Sequence, residues 1–313
     1  MAGSSSSSAA CAVLLASLVC AACLFGSGEA SGAAHRVVDP EWHPATATWY
    51  GSAEGDGSDV VSGGAGECRD DDAATLDLCE TDNDGSGGSL ICDLYRRVDE
   101  RTPGGACGYG TLVDVVPMKA RVGAVSPVLF KSGEGCGACY KVRCLDRGIC
   151  SRRAVTVIVT DECPGGVCAG GRTHFDLSGA AFGRLAVAGA GGQLRNRGEI
   201  NVVFRRTACR YGGKNIAFHV NEGSTSFWLS LLVEFEDGDG DIGSMQLKQA
   251  NSAQWQDMQH IWGATWSLTP GPLVGPFSVR LTTLTSKQTL TAQDIIPKNW
   301  APKATYTSRL NFA

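Results

Sequence analysis

The chain lacks three features that would have pointed to particular functions. No cysteine follows Cys209, no N-x-S/T sequon occurs anywhere, and there is no excess of positive charge, since the formal net charge at pH 7 is −5. Without a sequon, N-glycosylation is not expected. The acidic balance argues against electrostatic binding to nucleic acid or to anionic lipid, so neither is expected as a partner.

What the chain does contain favours a folded, β-rich protein. Its 313 residues are enough for two ordinary domains, and a hydrophobic content of 43% excludes a disordered chain. The 41 glycines exceed average usage and favour many tight turns between short strands.

The first thirty residues are typical of an export signal. Residues 9–26 carry no charge, and Gly28, Glu29 and Ala30 form a small-x-Ala cleavage site. The segment before them contains no Lys or Arg, and 18 apolar residues are just enough to span a bilayer, so a retained membrane anchor is the alternative. The prediction is a signal peptide over 1–30, a secreted product and no membrane-spanning segment after cleavage.

Cysteine spacing supports export. Eight cysteines lie between Cys107 and Cys209, a density that favours disulfide bonds in an oxidising compartment. The C-x-x-C pair at Cys136 and Cys139 is also compatible with zinc, but no second pair or His-rich motif follows at zinc spacing. Disulfides are therefore predicted, and neither a metal nor a cofactor is expected.

Tryptophan and cysteine divide the chain in two. Five of the seven tryptophans follow Cys209, and the segment 210–215 (RYGGKN) is a plausible short linker. Before it, TATWYG, GACYKVRC, AVTVIVTDEC and EINVVFRRTAC have strand-like composition, and one helix is predicted from Leu177–Ser178 through AAFGRLAVAG. This pattern favours a small β-barrel. After the linker, NIAFHVNEG, WLSLLVEFEDG, SMQLKQ and PFSVRLTTLTSKQTLTAQDI favour an all-β sandwich.

The acidic run EFEDGDGDIG, residues 234–243, resembles a calcium loop only superficially. An EF-hand loop that began at Asp237 would need an acid at its twelfth position, where the chain has Lys248. The prediction is a polar hairpin turn.

Taken together, the motifs resemble a β-expansin, a secreted plant protein that loosens cell walls. They are TATWYG, GGACGYG, GCGACYKVRC, VTDECPGGVC, HFDLSGAAFG and GEINVVFRR, followed by LLVEFEDGDGDI, WGATWSL, GPFSVRLTT and DIIPKNW. The resemblance implies an N-terminal extension over 31–45 and a six-stranded double-psi β-barrel over 46–209, similar to family 45 glycoside hydrolases. It also implies an immunoglobulin-like, polysaccharide-binding β-sandwich over 213–309, similar to group-1 grass pollen allergens.

The resemblance also implies disulfide pairs. They are Cys107–Cys136, Cys139–Cys209 and Cys144–Cys150, and the tight CPGGVC turn suggests that Cys163 pairs with Cys168.

Hydrolysis by this kind of barrel needs a carboxylic acid and a carboxylate base. By resemblance, Asp176 occupies the position of the general acid, and like-charge repulsion from Asp161 would keep it protonated. The related hydrolases take their base from T-x-Y-x-D, but here Ser52 stands at the last position of that pattern. A serine without an activating partner is not a general base for water, so Asp176 is interpreted as a vestigial acid. The alternatives are a helix N-cap role for Asp176 and a turn role for Asp161.

The resemblance supplies candidate positions for both surfaces. The predicted polysaccharide groove consists of Thr48, Trp49, Tyr50, Asp59, Asp161, His174 and Asp176. The predicted aromatic platform of the second domain consists of Trp228, Trp262 and Trp266. Because tryptophans also fill sandwich cores, burial of any of these rings remains the alternative.

One segment departs from the family pattern. Residues 60–103 separate Asp59 from Gly104, which adjoin in the family, and they carry Cys68, Cys79 and Cys92. The segment is either an acidic surface loop near the groove or translated non-coding sequence. Its length and its odd cysteine count favour the second interpretation.

The expected function is therefore wall loosening without hydrolysis, at acidic pH. The expected partners are cellulose and matrix polysaccharides, and the resemblance implies arabinoxylan as the matrix polysaccharide. The protein is expected to be a monomer. Two alternatives remain open at this stage: a weak inverting endo-glycosidase, and a wall-polysaccharide-binding protein that does not loosen walls.

Overall fold

A computed structural model of the protein describes residues 38–55, 105–269 and 271–312. The predicted signal peptide, Asp59 and the segment 60–103 with its three cysteines lie outside these residues.

Six strands form a closed barrel in the order β1-β5-β2-β4-β3-β6. Their bounds are β1 His43–Tyr50, β2 Val122–Val125, β3 Cys139–Cys144, β4 Val155–Glu162, β5 His174–Ser178 and β6 Ile200–Arg206. The barrel contains the four strands that the sequence predicts, together with β2 and β5.

The helices of the barrel are short. They are α1 Pro127–Phe130, α2 Gly179–Gly183 and α3 Gly191–Arg195, with 3₁₀ turns at Gly110–Asp114, Lys131–Gly133 and Gly166–Cys168. Helix α2 lies inside the segment predicted to be helical, but the predicted start at Leu177–Ser178 was wrong, because both residues belong to β5, and the helix has only five residues. Its N-cap is Ser178, whose hydroxyl oxygen accepts a hydrogen bond from the Ala181 N–H at 3.4 Å.

Aromatic rings and disulfides hold the barrel together. Tyr140, Phe175 and Phe204 meet in its core with ring centroids 5.2 to 5.8 Å apart, at the tilted and edge-on angles that aromatic pairs prefer. The four predicted disulfide pairings are present in the structure: Cys107–Cys136, Cys139–Cys209, Cys144–Cys150 and Cys163–Cys168. The covalent links tie the long loops of the barrel to its strands, which limits the conformations of the unfolded chain.

The second part of the chain is a β-sandwich. One sheet has four strands in the order β10-β9-β13-β14, and the other has five in the order β11-β12-β8-β7-β15. The bounds are β7 Ala217–Val220, β8 Leu229–Glu234, β9 Ile242–Gln249, β10 Gln256–Asp257, β11 Gln259–Trp262, β12 Thr265–Leu268, β13 Phe277–Thr283, β14 Thr289–Ile296 and β15 Thr305–Thr307. The all-β fold class predicted from sequence, a six-stranded barrel followed by a sandwich, is confirmed.

The acidic loop 235–241 is not the polar hairpin turn that the sequence predicts. Strands β8 and β9 belong to different sheets, so the loop crosses between the sheets instead of joining paired neighbours. It is also buried, because Glu236, Asp239 and Asp241 are only 2–3% exposed. The sequence interpretation was wrong because an acidic, glycine-rich composition is normally a sign of solvent exposure.

This loop is the junction between barrel and sandwich. The Arg206 guanidinium at the end of β6 lies 2.8 Å from the Asp241 carboxylate and donates to the Asp239 carbonyl oxygen at 2.5 Å. Cys209 and Gly238 exchange two backbone hydrogen bonds, at 2.7 and 3.2 Å. The barrel is thus joined to the sandwich by charge and by backbone pairing.

Two glycines let the backbones of the two domains touch. A Cβ atom on Gly137 would lie 2.1 Å from the Gly240 carbonyl oxygen, and a Cβ atom on Gly240 would lie 2.4 Å from the Gly137 carbonyl oxygen. Both residues also have positive φ, +82° and +76°, which side chains disfavour. A larger residue at either position would separate the domains.

Burial gives the carboxyl groups of the junction unusual acidity. It raises the pKa of Glu236 to about 8 and that of Glu234 to about 7. It also raises the pKa of Asp241 to about 6, although the Arg206 charge opposes that shift. At mildly acidic pH, burial thus favours the protonated forms of Glu234 and Glu236, while the Arg206 charge opposes protonation of Asp241.

We expect the stability of the protein to fall as the pH rises from about 4.5 to about 8. A carboxyl group whose pKa is raised by folding stabilises the native state fully below its unfolded value, 4.5 for Glu, and that stability is lost as pH rises through the folded value. Glu236→Gln keeps the shape and removes the charge. It should flatten the dependence of Tm on pH and raise Tm at pH 8 by at least about 2 °C.

Glu41→Gln is the matched control, because Glu41 is exposed on the barrel surface. Its Tm should follow that of the wild type at every pH. A Glu236→Gln variant with an unchanged pH profile would contradict the assignment of a proton to the junction.

Candidate functional site

Four side chains form a row across four adjacent strands of the barrel. Thr48 of β1 pairs with Asp176 of β5, Asp176 pairs with Ala124 of β2, and Ala124 pairs with Asp161 of β4. Residues paired across neighbouring strands share a face of the sheet, so this row brings both predicted acids to one surface. With strands about 4.8 Å apart, the Cα atoms of the two acids are separated by roughly 10 Å, and the buried Ala124 lies between them.

Asp176 occupies a half-buried position in the middle of β5. Burial raises the pKa of its carboxyl group, and a hydrogen bond donated by the Thr48 hydroxyl to Oδ1 at 2.7 Å partly lowers it. The predicted cause of a protonated Asp176, repulsion from Asp161, was wrong, because burial is the main cause of the raised pKa. The N-cap alternative for Asp176 was also wrong, because Ser178 caps the helix.

His174 lies two residues before Asp176 on β5 and therefore faces the same side of the strand, but it is buried and does not line the surface. It has no solvent exposure, which corrects its predicted place in the groove. Its Nδ1 lies 2.7 Å from the Thr46 hydroxyl and its Nε2 lies 2.8 Å from the Thr48 hydroxyl. Since burial lowers the pKa of His174, the neutral ring is favoured. When Thr48 donates to Asp176, its oxygen can accept from Nε2–H, so His174 orients the hydroxyl that reaches the acid.

Asp161 is anchored by backbone groups. Its Oδ1 accepts hydrogen bonds from Ala106 N–H at 2.6 Å and from Glu162 N–H at 2.8 Å. Its charge also contributes to the raised pKa of Glu162, for which burial is the larger cause. One oxygen of Asp161 is therefore committed to the fold of the loop beside it.

The two aromatic residues at the end of β1 face opposite ways. Trp49 pairs with the buried Leu177, packs against the barrel core, and donates from Nε1 to the Arg195 carbonyl oxygen at 3.2 Å. Strand alternation turns its ring away from Thr48, so Trp49 does not share the face of the row, although it is partly exposed. Tyr50 pairs with Ser178 and shares the face of Thr48, and Ser52 follows in an exposed bend.

A short segment connects this row to the sandwich. Cys107 N–H donates to the Thr160 carbonyl oxygen at 3.1 Å, and the Cys107 carbonyl oxygen accepts from Ala264 N–H at 3.0 Å. At Gly108, whose φ is +81°, a Cβ atom would lie 2.7 Å from the Trp262 ring. The Asp161 end of the row and Trp262 are thus joined by residues 105–108.

The predicted aromatic platform is partly present. Trp262 is 40% exposed and pairs with Thr265, whereas Trp228 is half-buried just before β8. Trp266 is only 7% exposed, belongs to the sandwich core and contacts the His260 ring at 4.9 Å, so its predicted place on the platform was wrong. Phe227, which is 63% exposed, is not among the residues predicted for the platform. Its position inside SFWLS, where strict alternation breaks, was the available signal.

Within the part of the chain that the structure describes, no group of three or more His, Cys, Asp or Glu side chains could hold a metal ion. No helix in the same ranges is long and apolar enough to cross a membrane.

Removing the Thr48 hydroxyl should raise the pKa of Asp176 further. Thr48→Val preserves the side-chain shape but deletes the hydrogen bond that favours the carboxylate, so Asp176 should stay protonated to a higher pH. Carboxyl ¹³C NMR titration would measure this. Thr46→Val is the control, because its hydroxyl contacts His174 without reaching Asp176. Equal titration curves for wild type and Thr48→Val would contradict the role given to this hydrogen bond.

Comparison with known proteins places this geometry in a family. Residues 216–297 match the model of the expansin C-terminal domain, and residues 122–204 match a barrel model described as lytic transglycolase. Expansin-B16 of Oryza sativa subsp. japonica is 76% identical over 301 residues, covering 96% of this chain and 94% of that protein. Expansin-B3 of Arabidopsis thaliana is 59% identical over 290 residues, covering 93% and 92%.

Solved structures agree with the fold. The crystal structure of an expansin from Clavibacter michiganensis superposes with a TM-score of 0.56 at 21% identity, covering 87% of this chain and 98% of that one. A mutant of the same bacterial protein, in complex with cellohexaose, gives a TM-score of 0.55 at 20% identity. The sequence identity across nearly the whole chain, together with both domain matches, shows that the chain belongs to the β-expansin family of cell-wall-loosening proteins.

Proposed function

We propose that the protein is secreted and loosens plant walls by disrupting non-covalent adhesion between cellulose and xylan-type matrix glycans, without hydrolysis. In this proposal residues 1–30 direct export, residues 46–209 carry the groove, and residues 213–309 carry the aromatic platform. The protein acts as a monomer, and arabinoxylan is the proposed matrix partner. The observation that carries the proposal is the row of Thr48, Asp176, Ala124 and Asp161.

This row supports binding more than cleavage. An inverting hydrolase needs an acid and a base whose carboxyl groups lie roughly 6.5–9.5 Å apart, with a water molecule for the base to activate. Asp176 can supply the acid, but Ser52 stands where related hydrolases have the base. Asp161 already accepts two backbone hydrogen bonds at one oxygen. We infer that the acid is retained as a hydrogen-bond donor to a glycan.

The same acid accounts for activity in mildly acidic walls. A protonated carboxyl group both donates and accepts, as a sugar hydroxyl requires, whereas a carboxylate only accepts. Because burial raises the pKa of Asp176, the protonated form extends to a higher pH than for an exposed Asp. Loosening should therefore increase as the pH falls through this raised value.

The exposed ring of Trp262 supports a binding surface that continues from the groove. Aromatic faces stack on the C–H faces of sugar rings, and residues 105–108 join Trp262 to the Asp161 end of the row. The cellohexaose complex of the bacterial protein supports β-1,4-linked glucan as one polymer that this surface contacts. Trp228 is the proposed second contact.

The first test is creep of heat-inactivated grass wall strips under constant load, with released sugar assayed in the same bath. At mildly acidic pH the wild type should cause creep without releasing reducing ends. Asp176→Asn carries an amide that both donates and accepts at every pH, as the protonated acid does. Its creep rate should therefore stay high at neutral pH, where that of the wild type should fall about tenfold, the effect of losing one hydrogen bond of this strength.

Asp146→Asn is the matched control, since Asp146 lies on the barrel surface beside Arg197. It should cause creep at the wild-type rate. Sugar release in proportion to creep would overturn the non-hydrolytic proposal and favour the glycosidase alternative. Tight wall binding without creep would instead favour a binding protein that does not loosen walls.

A second test addresses the platform. Trp262→Ala should weaken binding of the protein to cellulose by roughly three- to tenfold, as expected for the loss of one aromatic stacking contact. Trp255→Ala serves as the control, because the Trp255 ring is covered by the Arg280 guanidinium at 4.0 Å. Depletion assays on insoluble cellulose measure both. Equal affinity of Trp262→Ala and wild type would remove Trp262 from the binding surface.

A further inference from the structure

A second depression on the barrel has a chemical character different from that of the groove. It encloses about 740 Å³, within the range of small-ligand sites. Its lining includes three arginines, two hydroxyl-bearing residues and several apolar residues; the polar members are Arg121, Ser151, Arg153, Thr156 and Arg184. The small side chains of Ala154, Ala186 and Ala188 leave the space open.

Within the described part of the chain, the positive charge of this depression has no carboxylate partner. Among the residues that the structure describes, no carboxylate lies within ion-pair distance of Arg121, Arg153 or Arg184. None of the described residues that line the depression is acidic. Three uncompensated guanidinium groups on a chain with a formal charge of −5 form a local site of the opposite sign.

Two of these arginines are held in place by the backbone. Arg184 Nη1 donates to the Ala120 carbonyl oxygen at 2.6 Å, and Arg121 Nη1 donates to the Pro117 carbonyl oxygen at 3.2 Å. An arginine fixed through one nitrogen keeps its other N–H groups for a ligand. The entropy lost when a ligand binds is then smaller than for a freely rotating side chain.

The depression is separate from the row of Thr48, Asp176, Ala124 and Asp161. Arg121 precedes β2 and Thr156 lies at the start of β4, whereas Ala124 and Asp161 lie toward the ends of the same two strands. Since β2 and β4 are parallel, the two sites lie at opposite ends of the pair. At about 3.3 Å per residue, Thr156 and Asp161 are roughly 16 Å apart along β4.

We propose that this depression, which we name the arginine site, binds the carboxylate groups of acidic wall polysaccharides. The inference rests on the proposed function, because secretion into a wall is what brings uronate-bearing polymers into contact with the protein. Guanidinium groups form paired hydrogen bonds with carboxylates, and the hydroxyls of Ser151 and Thr156 suit the neighbouring sugar hydroxyls. The site would anchor the barrel to the charged matrix, while the groove engages neutral chains.

The carboxylate can come from two sources, uronate side groups on a xylan or a galacturonate backbone. Isothermal titration calorimetry of the full-length protein at low salt would compare a glucuronic-acid-substituted xylo-oligosaccharide with an oligogalacturonate. A neutral arabinoxylo-oligosaccharide and cellohexaose complete the set. We expect at least one acidic ligand to bind, with an affinity that falls as salt screens the charges.

Variants of the arginines distinguish binding at the arginine site from general attraction between opposite charges. Replacing both Arg153 and Arg184 by Gln should weaken the acidic ligand by at least roughly tenfold, given the strength of charged hydrogen bonds. Arg153→Lys keeps the charge but removes the planar fork, and it should bind with intermediate affinity. The matched control is Arg152→Gln, which removes a neighbouring exposed arginine outside the depression and should bind as wild type. Thermal melts would verify that each variant is folded.

Each outcome decides between the possibilities. Wild-type affinity in the double variant, or an equal loss in Arg152→Gln, would overturn the arginine site in favour of diffuse attraction. Failure of the wild type to bind either acidic ligand while it still binds cellohexaose would overturn this inference alone. Failure to bind any of the four ligands would instead contradict the proposed function.

Discussion

The buried ion pair between Arg206 and Asp241 is the contact on which the arrangement of the molecule depends. It lies between the last barrel strand and the first strand of the four-stranded sheet, with the two side chains 12% and 5% exposed. Removing one partner of such a pair typically costs about 3–5 kcal/mol, because the other charge stays buried. The touching backbones of Gly137 and Gly240 add a steric requirement at the same place. Together they fix where Trp262 lies with respect to the barrel.

Because of this junction, the row on the barrel and the exposed ring of Trp262 on the sandwich are connected by residues 105–108. The segment 105–108 hydrogen-bonds to β4 on one side and to the β11–β12 turn on the other, so the Asp161 end of the row continues to Trp262. A long polysaccharide could therefore contact hydroxyl and carboxyl groups on the barrel and an aromatic ring on the sandwich at once. Two modest contacts on one rigid body bind more tightly than either contact alone.

The junction and the row share one property: each contains a carboxyl group whose pKa is raised by burial. Burial raises the pKa of Glu236 at the junction and of Asp176 in the row, so both favour their neutral forms in mildly acidic surroundings. The structural reasons differ: Asp176 has a hydroxyl donor that partly stabilises its carboxylate, while Glu236 is enclosed between the domains.

The sequence by itself determined the fold class, the family and the residue types at the row. Cysteine and tryptophan divided the chain, and strand-like runs marked β1, β3, β4 and β6. Tertiary structure decided the rest. The short β2 (VGAV) has little strand signal, yet its long-range pairing brings Asp176 and Asp161 to one face. The direction of strand β1 places Trp49 against the barrel core. His174 and Trp266 are buried by packing in the two domains. Contact between the domains encloses an acidic loop whose composition predicts solvent exposure. Each of these depends on contacts between residues distant in the chain, which local composition does not encode.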